Sequence, residues 1–155
     1  MTLREDINTA LKQAMRDRAA ARLSTLRLVT AAIKDRDIAA RGEGEDRSGV
    51  DDAEILGILA KMVKQRQESA RTYEEGGRLD LAERELSEIV VIEEFLPKKL
   101  SDAEVSRAIQ AAVADVGAES IRDMGKVMGA LKAKYTGQMD FGKVGARVKD
   151  ALNQG

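Results

Sequence analysis

The sequence predicts an all-α protein, and three observations carry that prediction. Aromatic residues make up 3% of the chain and proline occurs once, so Ala, Leu, Ile, Val and Met must fill the interior. That composition suits helices better than sheets. Apolar residues recur at helical i, i+3 and i+4 spacing along most of the length, and helix-start and helix-stop signals fall between the periodic stretches. With 43% hydrophobic and 34% charged residues the chain can build a core, being well above the apolar content of disordered segments.

Thr2 and Glu5 have the spacing of a capping box, and Leu3, Ile7, Leu11, Ala14 and Met15 follow as the apolar face of a first helix. A second helix is predicted from about Ala20 to Arg41, with a stripe of Leu23, Leu26, Val29 or Thr30, and Ile33. Gly42 to Gly49 is rich in glycine and charge without periodicity, and reads as an exposed, mobile loop. Asp51 or Asp52 can cap a long third helix in which Ile55, Leu59, Met62, Val63, Ala70 and Tyr73 keep the repeat up to Gly76-Gly77. A fourth helix carries Leu81 or Ala82, Leu86, Ile89, Ile92 and Phe95, and Pro97 closes it. Residues 1–96 therefore read as an antiparallel helical bundle.

After Pro97 the signals restart. Ser101 and Glu104 form a second capping box, followed by Val105, Ala108, Ile109, Ala112 and Val113, with a stop at Gly117. A helix from about Arg122 to Tyr135 comes next, then Gly137, a cap at Asp140, and a last helix burying Phe141, Val144, Val148 and Leu152. Residues 97–155 read as a small three-helix module. Charge separates the two parts: residues 1–96 carry 16 Lys and Arg against 20 Asp and Glu, and residues 97–155 carry 10 against 7. Seven bases against two acids lie between Arg122 and Lys149, an excess that can attract phosphate.

The chain has no cysteine and no histidine. Disulfides, thiol nucleophiles, imidazole bases and almost every zinc site are thereby excluded. The acidic run Glu83, Glu85, Glu88, Glu93 and Glu94 reads as a solvated face, because a carboxylate-bridged metal pair in a bundle draws on Glu-x-x-His motifs. No metal and no cofactor are expected. Lys64, Arg66 and Arg71 read as ordinary i,i+4 partners of Glu68, Glu74 and Glu75. No apolar run approaches the roughly 20 residues needed to span a bilayer. Residues 1–20 are amphipathic rather than basic and then apolar, so no secretory leader is expected and the chain is placed in the cytoplasm.

The most informative constellation lies in the penultimate helix. At 100° per residue, Met124, Val127, Met128, Leu131 and Tyr135 form one narrow stripe, the core face. Gly125 and Gly129 fall together off that stripe, in an arc shared with Arg122, Lys126, Ala133 and, at its edge, Lys132. Each glycine inside a helix costs about 1 kcal/mol relative to alanine, so two on an outward face call for an explanation. Either a phosphodiester backbone or partner helix lies across this basic face, or the face packs on the first module. Lys143 and Arg147 of the last helix complete the candidate set. Gly125-Lys126 is not a P-loop, because the upstream glycine and the following Ser or Thr are missing.

Several runs, in order, resemble one family. Leu23-Ser24-Thr25-Leu26-Arg27, Ala31-Ala32-Ile33-Lys34, Val63-Lys64-Gln65-Arg66, Gly76-Gly77-Arg78, Phe95-Leu96-Pro97 and Asp123-Met124-Gly125-Lys126-Val127-Met128-Gly129 look like the YqeY family of small bacterial proteins. That family is similar in fold to the carboxy-terminal tail of GatB, the B subunit of the glutamine-dependent amidotransferase that converts misacylated Glu-tRNA or Asp-tRNA. The resemblance implies two helical subdomains, tRNA or another structured RNA as ligand, amidotransferase subunits as partners, and the label carbon-nitrogen ligase with glutamine as amido donor. The catalytic cradle of the B subunit has no counterpart here, so no independent catalysis is expected. Where many relatives continue with Gly-x-Ala-Asp-Gly, this chain has Gly137-Gln138-Met139-Asp140-Phe141. The alternative reading is a protein-binding adaptor that uses the Gly125/Gly129 face.

Overall fold

The computed structural model describes residues 2–42 and 49–153. Among these the chain is all-α: α1 (Leu3–Arg16), α2 (Ala20–Gly42), α3 (Asp52–Glu75), α4 (Leu79–Glu93), α5 (Asp102–Val116), a short 3-10 turn (Ile121–Asp123), α6 (Met124–Tyr135) and α7 (Phe141–Asn153). They form two compact units, Met1–Leu96 and Pro97–Gly155. The loop expected at Gly42–Gly49 lies mostly outside the described residues; Gly42 itself is the last residue of α2.

The first unit is a four-helix bundle of two hairpins. Thr2 caps α1 with both halves of the capping box in place, its hydroxyl accepting from the Glu5 N–H at 3.2 Å. Asp51, not Asp52, caps α3, accepting from the Glu54 N–H at 2.9 Å. The α3–α4 turn closes on Gly77 at φ +74°, where the N–H of Arg78 donates to the carbonyl of Tyr73 and that of Gly77 to Glu74. This six-residue closure satisfies carbonyls the helix end leaves orphaned. The α1–α2 turn uses the same closure with Arg18 at φ 54° in the glycine position.

Ile7, Val29, Ile33, Ile55, Leu59 and Ile92 form the centre of this unit's core. Val29 rather than Thr30, and Ala82 rather than Leu81, occupy the buried positions. Met15 and Leu86 are not core: they are 53% and 45% exposed. Ile7 and Ala14, seven residues apart, define the buried line of α1 and turn Met15 about 100° away from Ala14. On α4 the buried arc runs through Ala82, Ile89 and Ile92, and Leu86 falls beside it. Tyr73 and Phe95 are half-buried. Arg66 does not pair along its own helix. Its guanidinium donates to Glu88 of α4 at 2.8 Å, so the two hairpin arms are clamped by an ion pair whose side chains are only 15% and 22% exposed.

A second clamp joins α1, α2 and the start of α3. Arg4 donates two hydrogen bonds to Asp37, at 3.0 and 2.9 Å, and a third to the Val50 carbonyl at 3.3 Å; Asp37 also accepts from the Val50 N–H at 2.8 Å. Gly49 at φ +150° is required here, because a Cβ would stand 2.7 Å from the Arg4 guanidinium.

The second unit packs α5, α6 and α7 around Ile109, Val127, Leu131, Val144 and Val148. Ser101 and Glu104 form the capping box of α5, and Gly117 at φ 65° ends it. Asp140 caps α7, accepting from the Gly142 N–H at 3.0 Å. Met139, between Gly137 and the cap residue Asp140, is buried in the core.

The hydrogen bonds from Arg4, opposed by burial and aided by the Val50 N–H, hold the Asp37 carboxyl below the usual carboxylate range. A depressed folded-state value stabilises the fold above the ordinary Asp pKa of about 3.9, and that contribution is lost as pH falls through the lower value. Asp37→Asn is expected to lose about 1–2 kcal/mol in urea denaturation at pH 7, with the gap to wild type closing as the pH falls below about 3.9.

Candidate functional site

The site is built on α6, whose start is fixed by local hydrogen bonds. Ser120 accepts from the Arg122 N–H at 3.3 Å, and the Asp123 carboxylate accepts from the N–H groups of Glu119 and Ser120 at 2.9 and 3.3 Å. Those two bonds, Glu119 first, keep the Asp123 carboxyl below its ordinary range, with a smaller contribution from Lys126. The α-helix begins at Met124 rather than Arg122. Arg122 therefore sits in the 3-10 turn that leads into α6, not on the α-helical wheel of Gly125.

Val127 and Leu131 are 0% and 1% exposed, and Met124, Met128 and Tyr135 lie half-buried beside them. Gly125, Lys126, Gly129, Lys132 and Ala133 are all exposed. A Cβ built on Gly125 or Gly129 meets no atom of its own unit within 4 Å. The glycines of α7 behave differently. A Cβ on Gly145 would touch the methyl groups of Met124 and Met128 at 3.8 and 3.9 Å, and one on Gly142 would crowd the Asp140 carboxylate at 3.3 Å. Gly142 thus has a capping reason and Gly145 lies in ordinary contact range of two methionine methyls, whereas Gly125 and Gly129 face open space.

Among the described residues the side chains of Arg122, Lys132 and Lys143 make no ion pair, and Lys126 has only the through-space attraction of Asp123. Arg147 is different. Its guanidinium is half-buried, donates to the Asp102 carbonyl at 3.3 Å and to the Ser106 hydroxyl, and approaches the Asp102 carboxylate at 3.9 Å. It ties α7 to the first turn of α5. Lys134 leans over the Tyr135 ring at 5.5 Å. Spacing alone gave no sign that Arg147 would be engaged, because its partners lie more than 40 residues away in sequence.

This surface can offer cations and open backbone, which suits a polyanion or a closely packed helix. It holds no general acid–base pair. Among the described residues no group of three or more His, Cys, Asp or Glu could hold a metal ion, and no helix is long and apolar enough to cross a membrane.

The chain matches the family described as Yqey-like protein over residues 4–152. It is also similar to fungal proteins named "Altered inheritance of mitochondria protein 41, mitochondrial". The one from Lachancea thermotolerans is 32% identical over 101 residues, 64% of this chain and 51% of that protein. The one from Meyerozyma guilliermondii is 37% identical over 95 residues, 61% of this chain and 44% of that protein. The one from Candida glabrata is 33% identical over 95 residues, 61% of this chain and 48% of that protein. The chain thus spans about half the length of these curated relatives.

An alanine at Gly129 fits the open space and removes the backbone entropy cost of glycine. Gly129→Ala is expected to raise unfolding stability by about 0.5–1 kcal/mol, read as a higher urea midpoint at unchanged slope.

Proposed function

The chain belongs to the YqeY family, and from that membership together with the bare cationic face of α6 we propose that it is an RNA-associated accessory module with tRNA as its ligand. The observation that carries the reading is the pairing of two exposed, neighbourless glycines with cations that have no acidic partner in contact. A glycine turn lets a phosphodiester backbone approach the helix main chain, and Arg122, Lys126, Lys132 and Lys143 supply counter-charge. Arg147, engaged with α5, serves the module's own packing. Recognition is of backbone and shape rather than of bases, since Tyr135 and Phe141 are packed against the core and are not offered as stacking platforms.

The resemblance to the GatB tail supports reading the module as a partner of the glutamine-dependent tRNA amidotransferase subunits, contributing binding rather than chemistry. The carbon–nitrogen ligase label then belongs to the complex. The proposed compartment is the cytoplasm; the fungal relatives carry "mitochondrial" in their own names. A second reading, an adaptor that receives a partner helix, is favoured by the row Gly125, Gly129 and Ala133 at successive four-residue steps, which permits close interhelical approach.

The test is tRNA binding across a salt series, comparing wild type with a variant in which Arg122, Lys126 and Lys132 are all alanine. Each lost phosphate contact removes about 0.7–0.9 from the log–log salt slope, so the variant is expected to lose roughly 2 to 3 units of slope. Gly129→Ala is expected to bind more weakly while being more stable, a combination that only close approach of a ligand produces. Wild-type binding that is absent, or indifferent to salt, would overturn the RNA reading; salt-tolerant association with a protein would favour the adaptor.

A further inference from the structure

Among the large apolar side chains that the described residues leave exposed, three fall on one line of α4: Leu79, Leu86 and Val90, at 63%, 45% and 67% exposure. At 100° per residue they lie within about 40° of one another, and they run along about 16 Å of helix. The buried line of the same helix, Ala82, Ile89 and Ile92, lies beside this row, with Leu86 about 40° from Ala82. Isolated exposed leucines are ordinary; three aligned on one helix form a row, in which Leu86 and Val90 stand one turn apart.

The charges around the line are acidic. Glu83 flanks it on one side and Glu93 on the other, and neither has an ion-pair partner among the described residues. Three neighbouring acids are paired with cations: Asp80 with Arg78 at 3.4 Å, Glu88 with Arg66 at 2.8 Å and Glu94 with Arg22 at 2.5 Å. Arg84 lies more than about 100° round the helix from the line.

We propose that this face of α4 docks a basic amphipathic helix of a protein partner, one with apolar residues at i, i+3 or i+4, and i+7 and with Lys or Arg on both flanks. The apolar row supplies burial, and Glu83 and Glu93 occupy the flanking positions that set partner choice in paired helices. Two copies of the chain meeting through this face would bring acidic flank against acidic flank, in either direction. An anionic lipid surface meets the same repulsion. The occupant that complements both the row and its rims is a cationic helix.

The experiment uses the full chain and two fluorescein-labelled 18-residue peptides of identical Leu/Lys composition, one patterned as an amphipathic helix and one scrambled, with binding read by anisotropy. The patterned peptide is expected to bind at least tenfold more tightly. L86S/V90S is expected to erase that difference, and E83Q/E93Q to weaken the patterned peptide several-fold at low salt. All four positions lie off the buried line of α4, so both variants are expected to keep the wild-type circular dichroism spectrum at the assay temperature. Equal binding of the two peptides, or a preference that survives L86S/V90S, overturns the proposal. So does self-association, seen by sedimentation, that L86S/V90S abolishes, since the occupant would then be a second copy.

Discussion

The rotation of α6 about its own axis is the constraint on which the second unit's surface depends. Val127 and Leu131 are almost fully enclosed, and burying two such side chains is worth about 1.5–3 kcal/mol each. The two glycines on the same helix cost about 1 kcal/mol each against alanine. The stripe outweighs the glycines, so the helix forms with its apolar side inward, and Gly125 and Gly129 are turned outward as a geometric consequence. The α7 contact follows from the same rotation. Gly145 of α7 faces the ends of the Met124 and Met128 side chains, which pack beside the stripe.

With so few aromatics, both cores are aliphatic, and burial of Ile, Leu, Val and Ala sets which helix faces meet without strongly fixing where along its length each helix stops. Ion pairs supply that register. Arg4 and Asp37 join the start of α1 to the end of α2 and, through Val50, to the start of α3. Arg66 and Glu88 hold α3 to α4, and Arg147 holds α7 to the first turn of α5. The cations of this chain therefore divide into those that set helix register and those, such as Lys132 and Lys143, that face solvent without an acidic partner among the described residues.

Much of this was legible in the sequence because it is local. The capping boxes at Thr2 and Ser101, the stops at Gly77 and Gly117 and the outward arc of Gly125 and Gly129 depend on residues within one or two turns of each other. The α1–α2 turn was silent because Arg18, not a glycine, takes the left-handed position. The 3-10 turn at Ile121–Asp123 reads from sequence as part of α6, because one turn of either helix presents the same pattern. What stayed hidden was long-range: the Arg66–Glu88 and Arg147–Asp102 contacts join residues far apart in sequence, so a count of bases could not separate engaged cations from available ones. Met15 and Leu86 read as core from sequence for a related reason, since a wheel shows that a helix has an apolar side but not how much of that side its neighbours cover.

The two exposed helix faces are opposite in chemistry. The face of α6 is cationic and lacks side chains at its centre, so it offers main chain and counter-charge but almost no apolar area. The face of α4 is apolar along its centre and acidic at its rims. A polyanion gains on the first and is repelled by the second, whereas a cationic amphipathic helix gains on the second and is repelled by the first. The excess of acid in residues 1–96 and of base in residues 97–155 extends the same distinction beyond each patch. Under the two proposals, charge would steer a polyanion to residues 97–155 and a cationic helix to residues 1–96, and the apolar row of α4 would then select among cationic helices.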